Sequence, residues 1–268
     1  MAAKTKVITE QTCGHRKEFI KMFEKTAYTG NKHQIWSDFV YLCASALSQP
    51  LDYRQEREDE YLRIINSYGK ETQDTFLKMF GELILAFAEE GFADILGEIY
   101  GTLGLTNAKT GQFFTPYHIC KLMAALNGDN GSLTAEIGRK GYISVNDRCC
   151  GTGAMLIAFA DHCKQCGIDY EQSVLFVAQD IDPVVALTCY LQMTLFNMPG
   201  YVIIGNSLSN EKPDEKNFWF TNAYFCREFH LKTQNAIDDA NEITETEPDF
   251  DVMLRESDTG QFVFDFAS

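Results

Sequence analysis

The chain has 268 residues, 45% of them hydrophobic, and a formal net charge of -15. That length and apolar content are enough for a sizeable core and exclude wholesale disorder. The acidic balance argues against a protein that grips nucleic acid phosphates strongly and alone, since such proteins carry a basic face.

The opening stretch, MAAKTKVITEQTCGHRKEF, has no apolar h-region, and no run reaches the ~18 apolar residues of a membrane span. The nine cysteines are odd in number, and several fall inside apolar periodic segments. They read as reduced thiols of a cytoplasmic protein with no membrane association.

Residues 1–105 are expected to form an α-helical N-terminal region. Ile35, Phe39, Leu42 and Ala46 recur at helical spacing, as do Phe76, Phe80, Leu83 and Phe87. The pattern changes at TNAKTGQFFTP, a loop, after which Pro116 starts a helix through HICKLMAAL. YISVND (142–147) predicts a strand ending in an acid, followed by Gly151-Thr152-Gly153 and a helix over 154–165. VLFVAQD (174–180) predicts a second strand ending in an acid. A helix follows with Asp182 as N-cap and Pro183 at its first position. YVIIG (201–205) is a third strand and NFWFT (217–221) a candidate fourth. Strands alternating with helices indicate an α/β fold, a parallel sheet flanked by helices, over residues 106–231. Residues 232–268 carry ten acids against two bases and form an acidic C-terminal tail.

Two kinds of site compete around NDRCCGTGAMLIAFADHCKQC (146–166). Cys163 and Cys166 have knuckle spacing, but a structural zinc site needs a second pair, and the adjacent Cys149 and Cys150 diverge. The Cys-x-x-Cys ends a helix instead of opening one, which argues against a redox motif. No metal is expected. A nucleotide pocket fits better. Glycines admit close approach to a ligand, and the helix N-terminus adds a favourable dipole. Asp180 ends the second strand where ribose hydroxyls need an acceptor. Leu156 stands where the third glycine of a GxGxxG turn would be, so a nucleoside without pyrophosphate is favoured over a dinucleotide.

DILGEIYGTLGLTNAKTGQFFTPYHICKLM followed by NDRCCGTGAMLIAFA resembles the N6-adenine DNA methylases, especially the modification subunit of type I restriction systems. The resemblance covers roughly residues 94–210 and implies a Rossmann-like S-adenosylmethionine-dependent methyltransferase core. GQFFTP, with Phe114, Thr115 and Pro116, would cover the methionine end of that cofactor. Asp147, Cys150, Gly151, Thr152 and Gly153 match the family's D-P-x-C-G-[ST]-G, with Arg148 in place of proline. Asp180 takes the ribose-binding position, and Asn206 stands where an acid usually meets the adenine. The family's catalytic motif, [DNS]-P-P-[YF], is absent, since no two prolines are adjacent. The nearest stretch, TNAYF, would offer Asn222 as holder of the target amine and Tyr224 or Phe225 as the stacking ring, but without the two prolines and their spacing the favoured reading of NFWFTNAYF is a buried strand with a turn.

The resemblance implies an adenine-N6 DNA methyltransferase-like protein of a restriction-modification system, its DNA binding weak alone and aided by a specificity subunit or another protein partner. A degenerate module that binds S-adenosylmethionine or protein without transferring methyl is the alternative. A methyltransferase acting on RNA or a small molecule stands third.

Overall fold

The computed structural model describes residues 14–106, 114–127, 130–209 and 213–233. Helices come first: α1 (Gly14–Thr26), α2 (Lys32–Ser48), α3 (Gln55–Asn66), α4 (Lys70–Glu90) and α5 (Ile95–Thr102). Helix α1 packs along α4, and α2 packs against α3. Their shared core is aromatic, with Phe19, Phe23, Trp36 and Phe39 almost fully buried. Buried Arg16 ties this layer together by bonding Glu90 at the end of α4 and Glu98 on α5.

The second part alternates. Helices α6 (Tyr117–Asn127) and α7 (Asn130–Lys140) lead to β1 (Ile143–Asp147). Then follow α8 (Ala154–Gln165), the short α9 (Tyr170–Ser173), β2 (Val174–Asp180), α10 (Pro183–Leu195) and β3 (Gly200–Ile204). β4 (Phe218–Phe220) and α11 (Asn222–Cys226) follow. The sheet order is β1-β2-β3-β4. β1, β2 and β3 run parallel, with Val145 opposite Phe176 and Ala178 opposite Val202.

β4 departs from the all-parallel expectation. It runs antiparallel to β3, Trp219 opposite Val202, so the sheet is mixed. The helical layer clamps it. Arg57 of α3 stacks its guanidinium 3.7 Å from the Trp219 ring centroid and donates to the Phe218 carbonyl, while Arg54 donates to the Glu215 carbonyl. Tyr41 of α2 meets Trp219 edge-on. Pro116 also sits one residue earlier than expected. Its carbonyl accepts from Ile119 and Cys120, which places it just before the first helical residue of α6.

Side chains alternate between the two sheet faces, as strand geometry requires. Ile143, Val174, Phe176, Ala178, Val202 and Trp219 join the main core beneath α8 and α10. Leu175, Val177, Tyr201 and Phe220 face a smaller cluster with Tyr224 and Phe229. Asp182 caps α10 by accepting from Val184 and Val185. Buried Cys163 lies in the core of α8, and no group of three or more metal-ligating side chains occurs among the described residues. None of the described helices is long and apolar enough to cross a membrane.

Candidate cofactor-binding site

All three parallel strands end on the same side of the sheet. Their carboxyl ends bring together Asp147 at the end of β1, Asp180 at the end of β2 and Asn206 beyond β3, residues far apart in the chain. Between β1 and α8 the chain must reverse in a few residues, and the glycines make that possible. Gly151 has φ +55° and Gly153 φ +93°, values that L side chains rarely adopt. A Cβ at Gly153 would come within 2.8 Å of the Cys189 sulfur, and one at Gly151 within 3.4 Å of the Phe114 ring.

Asp180 organises this turn. Its Oδ2 accepts from the Gly151 amide at 2.9 Å and its Oδ1 from the Asp182 amide at 3.0 Å. Each oxygen keeps a further lone pair for a ligand donor. The Cys150 amide donates to the Gln179 carbonyl, and the Gly205 amide donates to the Asp180 carbonyl. Asp147 accepts from the Cys149 amide at 3.2 Å. Its carboxyl pKa is raised, by burial first and then by the charge of Asp180. Asn206 Oδ1 accepts from the Leu208 amide at 3.0 Å, which directs the Asn206 amide nitrogen away as a donor. Cys150 is buried, and its neighbour Cys189 and that burial push its thiol pKa well up, so it is a packing group and not a thiolate ligand.

A cavity of about 170 Å³ opens over the turn, walled by Phe114, Thr115, Asp147, Gly151, Thr152 and Met155. A larger one of about 640 Å³ adjoins it, sharing Phe114 and Thr115 and reaching Asp94 and Glu98 on the other side. Phe114 is packed against Tyr100 at 5.6 Å between ring centroids, and the Thr115 carbonyl accepts from the Cys120 thiol at 3.7 Å. The end of the GQFFTP segment is thus fixed as the roof of the site, while Gly111, Gln112 and Phe113 lie outside the described residues. No lysine or arginine is among the described residues that line either cavity.

The family model for N-6 DNA methylases matches residues 91–264. The chain belongs to the N-6 DNA methylase family. No curated protein matches it. Among solved structures, it is similar to a class I S-adenosylmethionine-dependent methyltransferase from Listeria monocytogenes. The identity is 17%, over 75% of this chain and 56% of that one, with a TM-score of 0.37. It is also similar to the type I restriction-modification system methyltransferase subunit from Streptococcus thermophilus, at 14% identity over 75% and 54%, with a TM-score of 0.34. The chain spans about half the length of these two proteins.

In this N-6 DNA methylase family chain, the residues expected from the methylase resemblance divide into two groups. Phe114, Thr115, Asp147, Cys150, Gly151 and Thr152 line one cavity. Pro116 lines the adjoining one. Gly153 closes the turn beneath them, and Asp180 and Asn206 stand at its rim. Asn222 and Tyr224 are elsewhere. Because β4 runs backwards, the residue after it returns to the start of β3: the Thr221 amide donates to the Gly200 carbonyl, and the Gly200 amide donates to Thr221 Oγ1. Asn222 therefore lies at the amino end of the parallel strands, opposite the site. Tyr224 is buried against Tyr201 and Phe220. Residue spacing along the chain does not reveal strand direction, and here that direction carries TNAYF to the far end of the sheet.

Asp94 and Gln192 are parts of the site region that sequence reasoning missed. The spacing Asp94 to Gly97 signals a helix cap, and Asp94 does accept from the Gly97 amide at 3.1 Å. Nothing local reveals its contact with Thr152.

Proposed function

We propose that this chain binds S-adenosylmethionine at the Gly151–Gly153 turn and contributes to adenine-N6 methylation of DNA, as a modification-type subunit of a restriction-modification system. One observation carries the reading: a glycine turn with positive φ at both glycines sits between two strand-terminal carboxylates, in a chain of the N-6 DNA methylase family.

The residues fit this cofactor chemically. Asp180 has acceptor capacity for the ribose hydroxyls after both of its backbone bonds are made. The bare backbone at Gly151 admits a ligand where any side chain would meet Phe114. Asp147 in the cavity wall and Asp180 bonded to the Gly151 amide favour the cationic sulfonium end. Asn206 offers an amide donor to a ring nitrogen of the base. When bound, the cofactor supplies an activated methyl group. The chain's own residues bind and orient it, and Phe114 shields it from water.

Asn222 and Tyr224 lie at the opposite end of the sheet from the turn and are not part of the proposed site. DNA, a specificity subunit and any cytoplasmic setting belong to the proposal. The test is methyl transfer: the chain, alone and with a candidate specificity subunit, is incubated with S-adenosylmethionine and duplex DNA, and digested DNA is assayed for N6-methyladenine. Transfer abolished by Asp180→Ala supports the reading. Cofactor binding with no transfer under either condition favours the alternative, a binding module without methyl transfer.

A further inference from the structure

A fully buried hydrogen-bond cluster lies directly behind the glycine turn. Its centre is Asp94, 4% exposed, at the N-terminus of α5. The carboxylate accepts from the Gly97 amide at 3.1 Å, from Thr152 Oγ1 at 3.0 Å to each oxygen, and from Gln192 Nε2 at 2.7 Å. Gln192 lies on α10 and is fully buried. Its Nε2 also donates to the Thr152 carbonyl at 2.7 Å, and its Oε1 accepts from the Leu96 amide at 3.0 Å. Thr152, the middle residue of Gly151-Thr152-Gly153, is thus held at both its hydroxyl and its carbonyl. The partners come from positions 58 and 40 residues away.

This arrangement exceeds what capping α5 requires. A serine or asparagine caps a helix without the desolvation cost of a carboxylate. Here one buried side chain joins a backbone amide, a hydroxyl and a side-chain amide at a single point, where a cap needs only the first. The ring joins three parts of the site region: the turn, the α5 segment that leads toward Phe114, and α10 beyond Asp180. A turn with two left-handed glycines has many conformations open to it, and free glycines lose more entropy on ordering than other residues. Fixing its central residue from beneath removes that freedom before a ligand arrives.

We propose that Asp94 and Gln192 are positioning residues of the cofactor site, holding Thr152 so that the Gly151–Gly153 turn keeps its ligand-ready shape. The inference rests on the reading of that turn as the S-adenosylmethionine site. The mechanism is geometric, so a neutral isostere has to work. In Asp94→Asn, the amide oxygen still accepts from Gly97 and Gln192, and the amide nitrogen donates to Thr152 Oγ1.

The experiment compares the wild type with Asp94→Ala, Asp94→Asn, Gln192→Leu and Thr152→Val by two readouts. The first is calorimetric titration with S-adenosylmethionine, well below each variant's melting temperature. The second is amide hydrogen exchange over residues 148–156 in the ligand-free protein, with α4 as internal reference. The expected result is roughly tenfold or greater loss of affinity in Asp94→Ala and Gln192→Leu, with Asp94→Asn close to wild type. Exchange at 148–156 should rise in the two damaging variants while α4 stays protected. Thr152→Val, which removes one hydroxyl at nearly constant shape, gives the same test if Asp94→Ala fails to fold. Equal loss in Asp94→Ala and Asp94→Asn would overturn the inference in favour of a charge effect. Unchanged exchange at the turn would overturn it outright. Wild-type protein that binds no S-adenosylmethionine refutes the reading of the site, and the exchange arm still decides whether Asp94 and Gln192 fix the turn.

Discussion

At the residue scale, the two glycines of the turn and the acids around them fill different roles. Gly153 has φ +93° and is backed by the Cys189 sulfur, so Gly153→Ala combines backbone strain with a steric clash. We expect a loss of about 1–3 kcal/mol in chemical denaturation. A fully wild-type midpoint would show that the turn relaxes freely. Asp94 supplies a pH signature. Burial raises its pKa, opposed by bonds from Gln192, Thr152 and Gly97, and the charge of Glu98 raises it further. A carboxyl whose folded pKa exceeds its unfolded value binds more protons when folded. Its contribution to stability therefore falls as pH rises from the ordinary carboxylate range, near ~4, through the raised pKa. Asp94→Asn lacks this slope. The melting temperature of the variant should gain on that of the wild type as pH rises above about 4. A difference that stays constant with pH would contradict the buried, ionisable Asp94.

At the element scale, much was legible in local pattern. The run VLFVAQD became β2 with its expected ends, and Asp182 with Pro183 marked the start of α10, because capping and β-branched runs are local signals. The direction of β4 was not legible. Three residues carry no direction, and the side chains that clamp β4, Arg57 and Tyr41, lie far upstream in α3 and α2. The same gap misplaced Asn222 and Tyr224. Asp94 was invisible for a related reason, since its site partners are long-range while its cap is local. Arg57 gives the element-scale test. It is buried, bonds Asp52 at 2.9 Å and stacks on Trp219. Arg57→Ala leaves Asp52 without this partner and β4 without its clamp, and should cost about 3–5 kcal/mol by urea denaturation. A cost below about 1 kcal/mol would mean that β3 alone holds β4. In contrast, Gly81 lies inside α4 with open space around a would-be Cβ, so Gly81→Ala should stabilise by about 0.5–1 kcal/mol.

At the scale of the whole molecule, the helical layer and the sheet meet through α10, which packs on β2 and β3 and also on α2. The family match begins at residue 91, so most of this helical layer lies outside it, yet that layer clamps β4. Net charge -15, Asp147 in the cavity wall and Asp180 beside the turn suit a cationic ligand better than a phosphate backbone. Under the proposed function, DNA contacts would then depend on a partner. The acidic tail lies outside the described residues from position 234 onward. The most direct test of the account is calorimetric titration of the purified chain with S-adenosylmethionine, repeated with Asp180→Ala. The account predicts saturable one-site binding that the variant weakens by tenfold or more. A well-folded wild-type chain that shows no binding, or binding that Asp180→Ala leaves unchanged, would contradict it.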